Sequence, residues 1–189
     1  MLALVGVALV GVIGRELAQP REPEPVYQGK SLSEWLKPKK VGSRLVVFGN
    51  PSQDMVVRQI GTNAIPTLLR MLRAKDSAMK TTLIHLAQRQ HIVAIEYTTA
   101  HEWNQTARHG FQVLGAEAQS AVPALTEIVN HNPTGESKLD AIAVLGLIGP
   151  PATEALLQCA TNADAKVRSS AIWTLLQIDP DAAAKAGIK

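Results

Sequence analysis

Between residues 53 and 178, apolar positions recur three and four apart, the spacing that places them on one side of an α-helix. Val167, Ala171, Leu175 and Ile178 form one such stripe. Thirty positions earlier stand Ser137, Ala141, Leu145 and Ile148, and thirty-four before those Trp103, Ala107, Phe111 and Leu114. Alanine at the same step each time predicts a close helix–helix crossing that a larger side chain would block. The self-similar unit is a helix closing on apolar-Gly, a tight connection and a shorter apolar helix. It is visible at Gly61, Gly115 and Gly149. These glycines are predicted to stop their helices in a left-handed backbone. Pro66 and Pro123 then fall in the first turn of the following helix, where an amide lacks an intrahelical partner anyway. Asp76 and Asp164 are predicted N-caps. Gly61 and Gly115 lie 54 residues apart, so an insertion of ~20 residues, holding His91 to Thr98, interrupts a period near 34. Thr99-x-x-Glu102 caps the helix that resumes.

Upstream the pattern changes. Met1 to Gly14 is an uncharged apolar run ended by Arg15 and Glu16. It fits the 7–15 residues of a signal core and falls short of the roughly 20 of a spanning helix. The alternative, a buried first helix apolar on all sides, would need a large core around it. Residues 1–18 are therefore expected to be a membrane anchor or signal segment, and 19–30 a proline-rich, extended linker. Residues 31–52 form a lead-in whose short helix has capping-box spacing at Ser31 and Glu34, with Trp35 docking it on the body. Arg44 to Phe48 reads equally as strand or helix. Residues 53–178 are the repeats, and Asp179-Pro180-Asp181 opens a C-terminal cap over 179–189. This order places the body on the extracytoplasmic face. Because no Lys or Arg precedes the apolar run, the alternative is a cytoplasmic body if Met1 is the true start.

Composition removes several function classes. Apolar residues make up 46% and charged ones 19%, which excludes disorder for most of the chain. A net charge of +3, scattered along the sequence, is no footprint for nucleic acid. The single cysteine, Cys159, excludes an internal disulfide and a cysteine-based zinc site. It is expected to be a buried structural thiol. His101-Glu102-Trp103-Asn104-Gln105 begins like a zinc-protease motif, but Gln105 replaces the second histidine, and His85, His91, His109 and His131 are scattered. Gly29-Lys30-Ser31 is the tail of a P-loop without its glycine-rich start. Asn104-Gln105-Thr106 matches a glycosylation sequon inside a predicted helix. No catalytic, cofactor-binding or metal-binding residue is assigned.

Asn162-x4-Val167-Arg168-x2-Ala171-Ile172-x2-Leu175-x2-Ile178 resembles the HEAT-repeat consensus, close to its phycobilisome-lyase-type variant. Gly61-x3-Ile65-Pro66-x-Leu68-Leu69 resembles that repeat's other helix, and Tyr27 to Leu36 resembles the lead-in of membrane-anchored bacterial HEAT proteins. Asn162 stands where the repeat often has Asp, and Lys138 and Asn104 replace Arg in earlier units. The resemblance implies an all-α fold: an α-solenoid of about four helix pairs in a right-handed superhelix. Lys138, Lys166 and Arg168 would then line its inner surface toward an acidic partner, with solvation or a bond from Arg168 to Asn162 or Asp164 as the alternative. Trp173, off the apolar stripe, is the candidate interface anchor, while Trp103 lies on the stripe. The implied function is a non-catalytic, membrane-tethered scaffold for an unknown protein partner. The alternatives are a lyase-like chromophore or cofactor handler, for which Cys159, His85 and Glu102 are the only candidate groups, and a fragment of a longer array.

Overall fold

The computed structural model describes residues 23–38, 40–41, 44–45, 49–76, 82, 98–131 and 135–188. The apolar run Met1 to Gly14, residues 19–22 of the linker, Val46 to Phe48, His85 and His91 lie outside the described residues. Within them the chain is mostly helical with little strand, an all-α fold. No helix among the described residues is long and apolar enough to cross a membrane.

The lead-in is a β-hairpin followed by a short helix. Strand β1 (Val26–Tyr27) pairs antiparallel with β2 (Lys30–Ser31), Tyr27 opposite Lys30. Gln28 and Gly29 both have positive φ, 48° and 77°, as a two-residue turn matched to strand twist requires. Helix α1 (Leu32–Leu36) starts with the capping box expected at Ser31 and Glu34. Leu32 and Leu36, both buried, dock it. Trp35 is half-buried, lies edge-on to Tyr27 at 6.2 Å and donates from Nε1 to the Tyr27 carbonyl at 2.9 Å. The run left open at Arg44 is strand at its start: β3 (Lys40–Val41) pairs with β4 (Arg44–Leu45).

Four long helices follow: α2 (Pro51–Ile60), α4 (Ala100–Leu114), α6 (Gly135–Ile148) and α8 (Ala165–Ile178). Three others, each shorter than the helix before it, alternate with them: α3 (Ile65–Leu72), α5 (Val122–His131) and α7 (Thr153–Cys159). The long helices pack in a row, α2 on α4, α4 on α6, α6 on α8. The short helices form a second row, α3 against α4, α5 against α6 and α7 against α8. Helix α9 (Pro180–Lys185) closes on α8, its N-terminus capped by Asp179 as the sequence predicts.

The core lies between the rows. Ala107, Ala141 and Ala171 are all fully buried, and Phe111, Leu145 and Leu175 lie one turn beyond them. The first three long helices each pass into a short one through a 3-10 turn, Gly61–Ala64, Gly115–Ala121 and Pro150–Ala152. Gly61, Gly115 and Gly149 have positive φ as predicted, but ψ lies between −131° and −145°. The expected left-handed helical cap is thus replaced by the glycine-only extended region. This bend sends the chain straight into the next turn.

Candidate interaction face

The repeat register places residues of the long helices in equivalent positions. Met55, His109, Ala143 and Trp173 share one of them, separated by 54, 34 and 30 residues. It points away from the short-helix row. Trp173 is 66% exposed and Met55 49%. One turn after Ala143, Leu147 is 36% exposed. Among the described residues the only other large hydrophobic so exposed is Val26, in the hairpin. Sequence reasoning found Trp173 and missed Met55 and Leu147. The same alignment that superposed the buried stripes superposes Met55 with Trp173, whereas Leu147 falls in register with Val113 and Gln177.

The four predicted contact residues separate into two groups. Lys166 and Trp173, seven residues apart, lie on one exposed side of α8. Arg168 lies about 140° round the helix from Trp173. Its Nη1 donates to the Asn162 carbonyl at 2.8 Å and to that of Ala163 at 3.3 Å, holding the loop after α7. Its register equivalent in α4 is Asn104. Buried there, the Asn104 amide nitrogen donates to the carbonyls of Met71 and Leu72 at the end of α3 and to that of Ala100. Residue type differs, yet both groups satisfy carbonyls at the end of a short helix or just beyond it. Lys138, in the same position on α6, is half-buried.

Polar pairs cross the seams between long helices. His109 Nε2 donates to Asp54 Oδ1 on α2 at 2.6 Å, and His101 Nδ1 to Glu136 Oε1 on α6 at 2.6 Å. Arg108 Nη1 reaches Asp140 Oδ1 at 3.4 Å, while Arg108 Nε and Asp140 Oδ2 are buried without a partner. Burial pushes the Asp140 carboxyl above its ordinary pKa, and nearby Glu136 adds to this against the pull of Arg108 and His101. At the α2 end an open depression of about 360 Å³ is lined by Gly49, Pro51, Asp54, Met55, Arg58 and Gln59.

The motifs with catalytic overtones are put to structural use. Glu102 closes the capping box of α4, its Oε2 accepting the Thr99 amide. No cluster of three potential metal ligands exists among the described residues. Cys159 is 1% exposed and its thiol is pushed up to about 11 by burial. Gly29 to Ser31 form the hairpin turn and second strand. Asn104 is too buried for a glycan. No family model, no curated protein and no solved structure matches the chain.

Proposed function

We propose that this chain is a non-catalytic scaffold: an α-solenoid of HEAT-like helix pairs that presents its long-helix row to a protein partner. The carrying observation is the register equivalence of Met55 and Trp173, two large apolar side chains exposed at corresponding positions of the first and last long helices. The shared register sets both on one face, as an extended interaction surface requires. The rigid packing of the row supports a preformed surface, which lowers the ordering cost of binding. The reading includes a right-handed superhelix and a membrane tether at residues 1–18 with the body on the extracytoplasmic face. Support for the tether is the apolar run and the proline-rich stretch behind it. The lyase-like alternative finds no support in Cys159, whose burial and raised pKa oppose nucleophilic attack.

Photo-crosslinkers at exposed positions of both rows test the scaffold. Gln112 and Trp173 serve for the long helices, and Asn130 and Gln158 for the short ones. A discrete protein adduct from at least one position is expected in cells. Absence of any protein adduct would sink the reading. Alkaline phosphatase fused after Lys189 tests the address, an active membrane-bound fusion being expected and an inactive soluble one refuting the tether.

A further inference from the structure

The charges around the exposed apolar positions are unevenly satisfied. Each carboxylate at a long-helix seam already holds a group of this chain: Asp54 holds His109, Glu136 holds His101 and Asp140 holds Arg108. On the long helices, two exposed cations have no such partner among the described residues. Arg58 lies one turn after Met55 and lines the open depression; Lys166 lies two turns before Trp173 on the same side of α8. Each outer apolar anchor thus has a free cation on its own side of its helix, while in the middle of the row α6 presents Ala143 and Leu147 and α4 presents His109, already held by Asp54. The distance between the anchors follows from helix packing. Four axes at ~8–10 Å spacing put the ends ~24–30 Å apart, the length of eight or nine extended residues.

We infer that the long-helix row binds an extended peptide segment of about nine residues, apolar along its middle and acidic at both ends, its carboxylates meeting Arg58 and Lys166. This rests on the scaffold reading and names its partner class. A lipid surface would also take up tryptophan and cations, and flotation with vesicles separates it from a peptide.

The test uses the full chain and three dye-labelled, end-blocked nonapeptides of alternating leucine and serine: one with glutamate at both ends, one with lysine, one with glutamine. Anisotropy titrations are expected to show the glutamate peptide binding at least ~10-fold more tightly than the lysine peptide, a gap that narrows with added salt. Trp173→Ala should weaken the glutamate peptide ~10-fold or more. The double variant Arg58→Glu with Lys166→Glu changes exposed positions only, and is expected to reverse the preference toward the lysine peptide. Equal binding of the three peptides, binding by none, or an unchanged preference in the double variant would overturn the inference. Flotation with phosphatidylglycerol vesicles that is lost in Trp173→Ala would overturn it in favour of lipid. Protein adducts confined to Asn130 and Gln158 would remove this surface and leave the scaffold itself standing.

Discussion

Gly146 leaves room on α6 for Thr174 of α8. A Cβ built there would stand 2.6 Å from Thr174 Cγ2, the methyl of a buried β-branched side chain with little freedom to turn away. Alanine would gain up to ~1 kcal/mol of helix propensity, against an overpacking cost of ~1–3 kcal/mol. Gly146→Ala is therefore expected to destabilise by about 1 kcal/mol in urea unfolding, and a stabilised variant would mean that the helices part easily. At Asp140 the governing term is charge. Its carboxyl is harder to ionise folded than unfolded, because burial and Glu136 outweigh the partial neutralisation by Arg108. The protonated group favours folding at acid pH, and that contribution is lost as pH rises through the folded value. Asp140→Asn keeps an oxygen for Arg108 and removes the buried charge. Relative to the parent, its stability is expected to improve between about pH 4 and pH 7. A variant that loses ground over this range would show that the Arg108 pair dominates.

The N-terminus of α4 shows how an element is tied across a long insertion. Three of its orphan amides are taken: Glu102 by Thr99 Oγ1, Thr99 by Glu102 Oε2, and Ala100 by the Asp76 carboxylate at 3.0 and 3.1 Å. Asp76→Ala should cost ~0.5–2 kcal/mol, as loss of a capping acceptor does, with the shift read from the thermal midpoint. The hairpin is fastened by a similar device. Burial acts to raise the Glu24 pKa, but hydrogen bonds from Ser33 and Arg70 together outweigh it and hold the carboxyl low. The stabilisation is therefore present at neutral pH and lost as pH falls through the folded value. Glu24→Gln should speed exchange of the Leu32 amide, bonded to the Pro25 carbonyl at 2.9 Å, at pH 7, with the difference shrinking as pH falls through the lowered folded value. Equal protection in the two proteins at pH 7 would deny the clamp. The legibility of these elements follows sequence distance. Both capping boxes, the prolines after the connecting turns and the buried alanines were readable because their partners lie within four residues or one repeat. Asp76 on Ala100, Glu24 on Arg70 and Asn104 on the end of α3 were not, since each partner arrives only when helices pack. The hairpin was missed because Gln28 is a weak signal for positive φ, where Asn or Asp before glycine would have announced the turn.

At the scale of the whole molecule the two rows make each unit depend on its neighbours. Helix α2 leans on α4, α4 on α6 and α6 on α8, so α2 and α3 reach α8 through the units between them. The sequence displayed this periodicity and the register of Met55 with Trp173, whereas their exposure became legible only once the long helices stood side by side. Stability in such an arrangement is distributed, with local terms and nearest-neighbour terms setting how far a disturbance travels. Ala171 is fully buried on α8, and enlarging it to leucine should destabilise by ~1–3 kcal/mol. In a nearest-neighbour array that loss stays near its source. Hydrogen exchange is then expected to accelerate most in α7, α8 and α9, less in α6, and least in α2 and α3. Ala107→Leu makes the matching change in α4, which packs on α2, α3 and α6. Its effect should spread to both sides and lower the unfolding midpoint more than Ala171→Leu does. A uniform loss of protection from α2 to α9 in both variants would instead make the chain one indivisible cooperative core, and the solenoid reading would fall with it.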